Sequence, residues 1–232
     1  MEFRKLKADE IECRIGTINA KGLSLLLYKD ARVDMKILDE TVGSMNWQRD
    51  HKELKGNIYC GISLWDEDKK QWITKWDCGT ESYTEKEKGE SSDSFKRAGF
   101  NIGIGRELYT SPFIWIRPEK DEITEEIDNN GRKRYTTKTT FKVYEIGYDK
   151  ENRINKLTIV DNKGTIRFQM LPKEESDERI TLLDKIQMLE IEKEIDMEKF
   201  NQWLEEKYGT QNTANLEIDK LKEIVKTLEK RK

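Results

Sequence analysis

Histidine is all but missing from this chain: His51 is the only one in 232 residues. With one imidazole, neither a Ser-His-Asp relay nor a His-rich metal site can be assembled. Lying in a charged turn region, His51 reads as a surface residue. Cysteine is scarce as well. Cys13, Cys60 and Cys78 include no pair at metal-ligand spacing, a pattern that fits reduced, partly buried thiols in a cytoplasmic protein and not a disulfide framework. No apolar run approaches the length of a membrane span, and no hydrophobic signal region follows Met1. The expectation is a cytoplasmic chain with no membrane partner.

Two further chemistries find little to work with. Gly103-Ile104-Gly105 resembles a phosphate loop only superficially, because it lies inside a helical pattern and no Gly-Lys-Ser/Thr follows it. Nucleotide hydrolysis is therefore not expected, nor any enzymatic activity, catalytic residue, metal or cofactor. Glu81, Glu90 and Asp93 are the carboxylates a Mg²⁺-dependent nuclease would draw on, but nothing in their spacing brings them together. The net charge is −3, so bulk basicity does not coat this chain for nucleic acid. Any such contact must rest on localised positive charge. Charges nearly balance up to residue 172, and from 173 to 232 there are 12 basic against 16 acidic residues.

What is present centres on residues 85–109, EKEKGESSDSFKRAGFNIGIGRELY. At 100° per residue, Ser91, Phe95, Ala98, Ile102, Gly105 and Tyr109 share one face of an amphipathic helix. Thr84 with Glu87 fits a capping box, and Ser111-Pro112 closes the helix. Lys96 and Arg97 fall outside the apolar stripe, on either side of its back. Gly89, Gly99 and Gly103 gather on the flank of Lys96, each costing about 1 kcal/mol relative to alanine. Three glycines there imply a close neighbour: a sheet, another subunit or a nucleic-acid backbone. A helix packed tightly on a sheet, with two solvated basic residues, satisfies the same spacing.

Around it, the patterning predicts an α+β core at 1–170, a linker at 171–177 and a helical module at 178–232. Residues 3–11 read as a first helix. Strands are expected at 12–18 and 23–29, and a helix at 31–42 with Asp30 as N-cap and Gly43 as stop. Three strands at 46–54, 57–65 and 72–79, joined by short turns, make an antiparallel meander packed on the central helix. Residues 112–116 add an edge strand, and 139–148, 153–161 and 165–170 a hairpin set. Residues 119–138, polar and charged, read as a mobile loop. Helical patterns at 178–192, 196–208 and 216–229 would bury Met188, Leu189, Phe200, Trp203, Leu204, Leu221, Ile224, Val225 and Leu228. That module resembles small three-helix units that end several phage and bacterial DNA-transaction proteins.

The central stretch carries a second resemblance. Lys88, Asp93, Lys96-Arg97-Ala98 and Gly103 stand at the spacings of the signature helix of the Rad fifty-two single-strand annealing family, which includes phage Sak-type annealing proteins. Ile11-Glu12-Cys13-Arg14, then Arg32-Val33, then LDETVGSMNW from Leu38 to Trp47 follow in the family's order. The match spans roughly residues 8 to 110. One position departs: eukaryotic members carry a third basic residue where this chain has Phe100.

The resemblance implies that Arg14, Lys88, Lys96 and Arg97 hold the phosphates of single-stranded DNA in a positively charged groove. Lys86 and Arg106 are candidates by proximity alone, and Asp93 an orienting partner for a basic side chain. Trp47, Trp65, Trp72 and Trp76 read as core or subunit-interface residues more readily than as a base-stacking platform. Also implied are a homo-oligomeric ring and ATP-independent strand annealing in homologous recombination and DNA repair, in a phage or prophage setting. The C-terminal helices would recruit a single-strand-binding protein or replisome component. The alternatives are a recombination mediator or single-strand-binding adaptor without annealing, a metal-dependent nuclease, and a purely structural oligomer.

Overall fold

The change in composition near residue 171 coincides with a change of architecture. The computed structural model describes residues 1–80, 86–127, 131 and 133–230, and they divide into two units, Met1–Gln169 and Met170–Lys232.

The first unit is α+β. Strand β1 (Glu12–Asn19) turns through Ala20-Lys21 into β2 (Gly22–Tyr28), followed by α1 (Ala31–Val42). Asp30 caps α1 by accepting from the Arg32 amide at 2.8 Å. Gly43, at φ 86°, ends it with its own N–H on Asp39 O. Strands β3 (Trp47–Leu54), β4 (Asn57–Asp66) and β5 (Gln71–Cys78) form the expected three-stranded antiparallel meander. Helix α2 (Lys86–Ile102) packs on β4 and β5 and also touches α1. Its Phe95 and Ala98, with Cys60 and Ile62 of β4, are fully buried.

The remaining strands are β6 (Ile114–Ile116), β7 (Thr124–Ile127), β8 (Lys133–Thr136), β9 (Phe141–Tyr148), β10 (Ile154–Asp161) and β11 (Ile166–Met170). They join the chain's start in one six-stranded sheet of order β11-β10-β9-β1-β2-β6, with β7 and β8 as a separate hairpin. Strand β6 takes the expected edge position. The core side of this sheet follows the register: Ile15 lies opposite Leu25, which lies opposite Ile114. The other side carries Arg14 opposite Leu26 and Glu12 opposite Tyr28.

Four expectations are corrected. Residues 3–11 contain only a 3-10 turn at Ala8–Glu10. The Leu6 N–H donates to Glu107 Oε1 at 2.8 Å and its carbonyl accepts from the Tyr148 hydroxyl at 2.9 Å, so its backbone groups are taken by distant side chains. Residues 119–138 are not simply a loop, since they hold the β7–β8 hairpin. Arg167, 6% exposed, clamps Glu122 there at 2.7 Å and Asp161 at 3.3 Å. The central helix ends at Ile102, because Gly103 adopts φ 115°, and a separate 3-10 turn covers Arg106–Thr110. Finally, α3 begins at Lys173, inside the stretch read as linker. Thr84 of the expected capping box and Glu81 lie outside the described residues.

In the second unit α3 (Lys173–Glu192), α4 (Met197–Tyr208) and α5 (Ile218–Glu229) enclose a small core of Ile186, Leu189, Ile195, Phe200, Leu204, Leu216, Leu221, Ile224, Val225 and Leu228. Trp203 packs against it in part, whereas Met188 is 69% exposed. Among the described residues no helix is long and apolar enough to cross a membrane.

Candidate functional site

The site is built around the side of α2 that turns away from β4. The helix is fixed by polar contacts. Glu90, buried, accepts from the Ile58 amide at 2.7 Å, and the His51 ring lies 3.1 Å from Ser91 Oγ. Asp93 accepts from the Thr80 amide at 3.0 Å and its hydroxyl at 3.2 Å, tying α2 to the exit of β5. The two described carboxylates named for a nuclease, Glu90 and Asp93, are thus each committed to a backbone amide.

Gly99 explains one close approach. A Cβ there would collide with Asp34 Oδ1, so the close neighbour inferred from the glycines is at this point α1 and the pair it buries. Lys29 and Asp34 form that ion pair, with side chains 1% and 0% exposed. The Lys29 ammonium also donates to Lys96 O at 3.3 Å and lies 4.3 Å from the centre of the Phe100 ring. Burial lowers the Lys29 pKa, against the pull of Asp34. Burial pushes the Asp34 carboxyl up to about 6, against the pull of Lys29. Phe100, the departure from a basic residue, therefore roofs a buried cation.

On the exposed side, Lys96 Nζ lies 5.9 Å from the Tyr28 ring centre and 3.8 Å from Asp93. Tyr28 is 37% exposed. Its hydroxyl bonds to Glu12, and that bond, with burial, pushes its pKa up to about 12 while Arg14 pulls it down. Arg14 stands two register positions from Tyr28, on the same face of β1 and β2, so its charge and that of Lys96 both reach this side chain. Arg97 Nε contacts Asp77 at 3.3 Å. Partial burial works against its charge, but Asp77, helped by Asp93 and Tyr109, leaves the guanidinium pKa raised.

Lys88 is exposed on α2. Nine positions separate it from Arg97, about half a turn beyond two full ones, so the two leave the helix on opposite sides. Lys96 lies between them in helix phase, about 80° from Lys88 and about 100° from Arg97, and of the three it is the one that stands over the Tyr28 ring. Arg106 donates to Phe100 O at 2.6 Å and Asn101 O at 2.7 Å, closing the end of α2. That placement neutralises orphan carbonyls and matches the helix dipole.

Two cations near α2 escaped the sequence reading. Arg49 lies 5.0 Å from the Phe95 ring centre, and Lys75 donates to Asn101 O at 3.1 Å. Both project from the α2 side of the meander, opposite Ile62. A two-residue period in β3 and β5 would have found them. Trp47 stacks on Phe95 at 6.1 Å, and Trp65 meets Trp72 edge-on at 5.6 Å. Burial pushes the Cys13 thiol up to about 12 and that of Cys60 to about 11, so both are poor nucleophiles. Comparison with known proteins finds no matching family model, no matching curated protein and no matching solved structure.

Proposed function

We propose that this chain binds single-stranded DNA along the exposed side of α2 and anneals complementary strands without ATP, as a member of the Rad fifty-two type acting in the cytoplasm in recombination and repair. The observation that carries the reading is that Lys96 stands over the Tyr28 ring, on the face of β1 and β2 that also carries Arg14, with Arg97 next to Lys96 on α2. Cations from β1 and α2, remote in sequence, occupy neighbouring surface, as a phosphate track requires. The mechanism has no covalent step: the strand is held by its phosphates with bases turned outward, charge repulsion between strands falls, and base pairing drives the reaction. Assembly into a homo-oligomeric ring would join the strips of successive subunits and give a strong field despite a net charge of −3 on each.

A second reading keeps the binding and drops the annealing, with the C-terminal helices recruiting a single-strand-binding protein or replisome component. It is favoured by a cleft of about 420 Å³ lined by Lys199, Phe200, Trp203, Thr227, Leu228 and Lys230.

The test is annealing of two labelled complementary oligonucleotides without ATP or Mg²⁺, for the parent and the Lys96→Ala/Arg97→Ala variant. The proposal expects acceleration by the parent alone. The variant should also bind more weakly across all sequences, with the slope of log K against log salt flatter by about 1.4 for two lost phosphate contacts. Binding without acceleration selects the adaptor reading. Binding and annealing by the variant equal to the parent's would sink the assignment of the strip.

A further inference from the structure

We propose that Tyr109 and Phe100 form a ledge on which one nucleobase of the bound strand stacks, an inference that rests on the functional reading above. Phe100 follows Lys96 by four residues and Arg97 by three. Its ring therefore stands one turn further along the same exposed side of α2. The Tyr109 ring lies 4.8 Å from it at 46°, and Tyr109 is 71% exposed. An exposed tyrosine alone needs no explanation. Three further features set this one apart.

The first is its mount. Tyr109 belongs to the 3-10 turn Arg106–Thr110, whose Glu107 and Leu108 are buried. Glu107 Oε1 accepts from the Leu6 amide at 2.8 Å. The Thr110 hydroxyl donates to Glu107 O at 2.6 Å and accepts from the Ile154 amide at 2.9 Å. An exposed ring on a pinned turn loses little conformational freedom when a flat ligand lands on it. The second feature is charge. Arg97 precedes Phe100 by three residues on α2, and Arg106 is held at the Phe100 and Asn101 carbonyls. A phosphate drawn to either cation brings its base to the height of the rings. The third is the backing of Phe100, where the Lys29 ammonium lies 4.3 Å from the ring centre. That contact fixes the ring from below and leaves Tyr109 as its outward partner. Every base has a π-face, so such a ledge is indifferent to sequence, as annealing of arbitrary strands demands.

The ligand class is a nucleobase within a single strand. The probe is an oligothymidylate carrying 2-aminopurine at every third position, titrated with the full chain. The parent should quench its fluorescence on binding. Tyr109→Ala should abolish the quench and weaken binding roughly tenfold or more, with the salt slope unchanged because no phosphate contact is lost. Tyr109→Trp should restore both. Thermal melting of Tyr109→Ala should match the parent, the ring being exposed. Parent-like quenching and affinity in Tyr109→Ala, while Lys96→Ala/Arg97→Ala binds weakly, would remove the ledge and leave the strip. A flattened salt slope in Tyr109→Ala would likewise overturn stacking. Absence of oligonucleotide binding by the parent at low salt would overturn the ledge and the functional reading together.

Discussion

Removing one partner of the buried Lys29–Asp34 pair should be far more damaging than removing both. Neither side chain reaches water, at 1% and 0% exposure. Asp34 Oδ1 takes the ammonium, and Oδ2 has no hydrogen-bond partner among the described residues. Burial already strains both charges, lowering the Lys29 pKa and lifting that of Asp34 to about 6. Asp34→Ala leaves the ammonium beneath Phe100 without its paired carboxylate, a loss of about 3–5 kcal/mol by the usual cost of breaking a buried pair. Lys29→Met leaves a buried carboxylate, which can escape by taking a proton. Its folded pKa then lies further above the unfolded value near 3.9. The variant should be most stable below that value and lose stability as pH rises through the folded pKa. Lys29→Met/Asp34→Leu, with two apolar side chains of similar volume, should return to parental stability or exceed it by about 1–4 kcal/mol. Urea unfolding of the parent, both single variants and the double at pH 5 and pH 8 completes the cycle. Single-variant losses that simply add in the double, with coupling below about 0.5 kcal/mol, would refute the claim that the pair acts as one unit.

Three other perturbations have definite expected outcomes. Glu122, held by Arg167, has its pKa lowered to about 2. Its folded value lies below the unfolded one, so it stabilises the fold above about pH 4.5, and that contribution, up to about 3 kcal/mol, is lost as pH falls toward 2; Glu122→Gln should flatten the acid limb of a stability–pH curve. Ile224→Ala opens the fully buried centre of the second unit and should cost about 2–5 kcal/mol there, while binding of single strands stays parental, since Arg14, Lys96 and Arg97 all lie in the first unit. Lys96→Ala/Arg97→Ala should lose annealing in the oligonucleotide assay while its thermal unfolding stays within about 0.5 kcal/mol of the parent, because surface ion pairs contribute little.

Much of the frame is legible in the chain because its signals are local. Asp30 and Gly43 bracket α1 by capping chemistry that acts within four residues. The meander shows itself through tight turns between runs of strand-forming residues. The failures share a cause in distance. Leu6 cannot be known to give its backbone to Glu107 and Tyr148 from the residues around it. Nor can Glu122 be seen as a buried anchor without Arg167, 45 positions on. The end of α2 misleads for another reason. The apolar period runs on through Ile102, Gly105 and Tyr109, but Gly103 turns the backbone to φ 115° and swings the residues beyond it out of the helical phase. Tyr109, counted with the buried stripe, thereby becomes exposed. The site shows the same division. Lys96 and Arg97 are adjacent in sequence, whereas the approach of Arg14 depends on the β1–β2 register and the placing of Tyr28 against α2.

On the proposed reading, the carboxylates beside the strip set how a strand is held. Lys96 has Asp93 at 3.8 Å and Arg97 has Asp77 at 3.3 Å, so an arriving phosphate meets cations that already have partners. Exposed pairs of this kind are worth about 0–1 kcal/mol, less than a charge-assisted contact to phosphate with release of a condensed counterion. The phosphate therefore wins, but by a reduced margin, and the carboxylate stands ready to reclaim the cation when the phosphate leaves. Asp93 and Asp77 are themselves anchored, the first on Thr80 and the second through Asn101 at 3.2 Å, so the cations stay in place whether or not a strand is bound. Annealing needs that combination: contacts held in position, yet weak enough one by one for a strand to shift register until its complement pairs. Asp77→Asn should accordingly tighten single-strand binding and slow annealing of partly mismatched oligonucleotides, and faster annealing in that variant would contradict the argument.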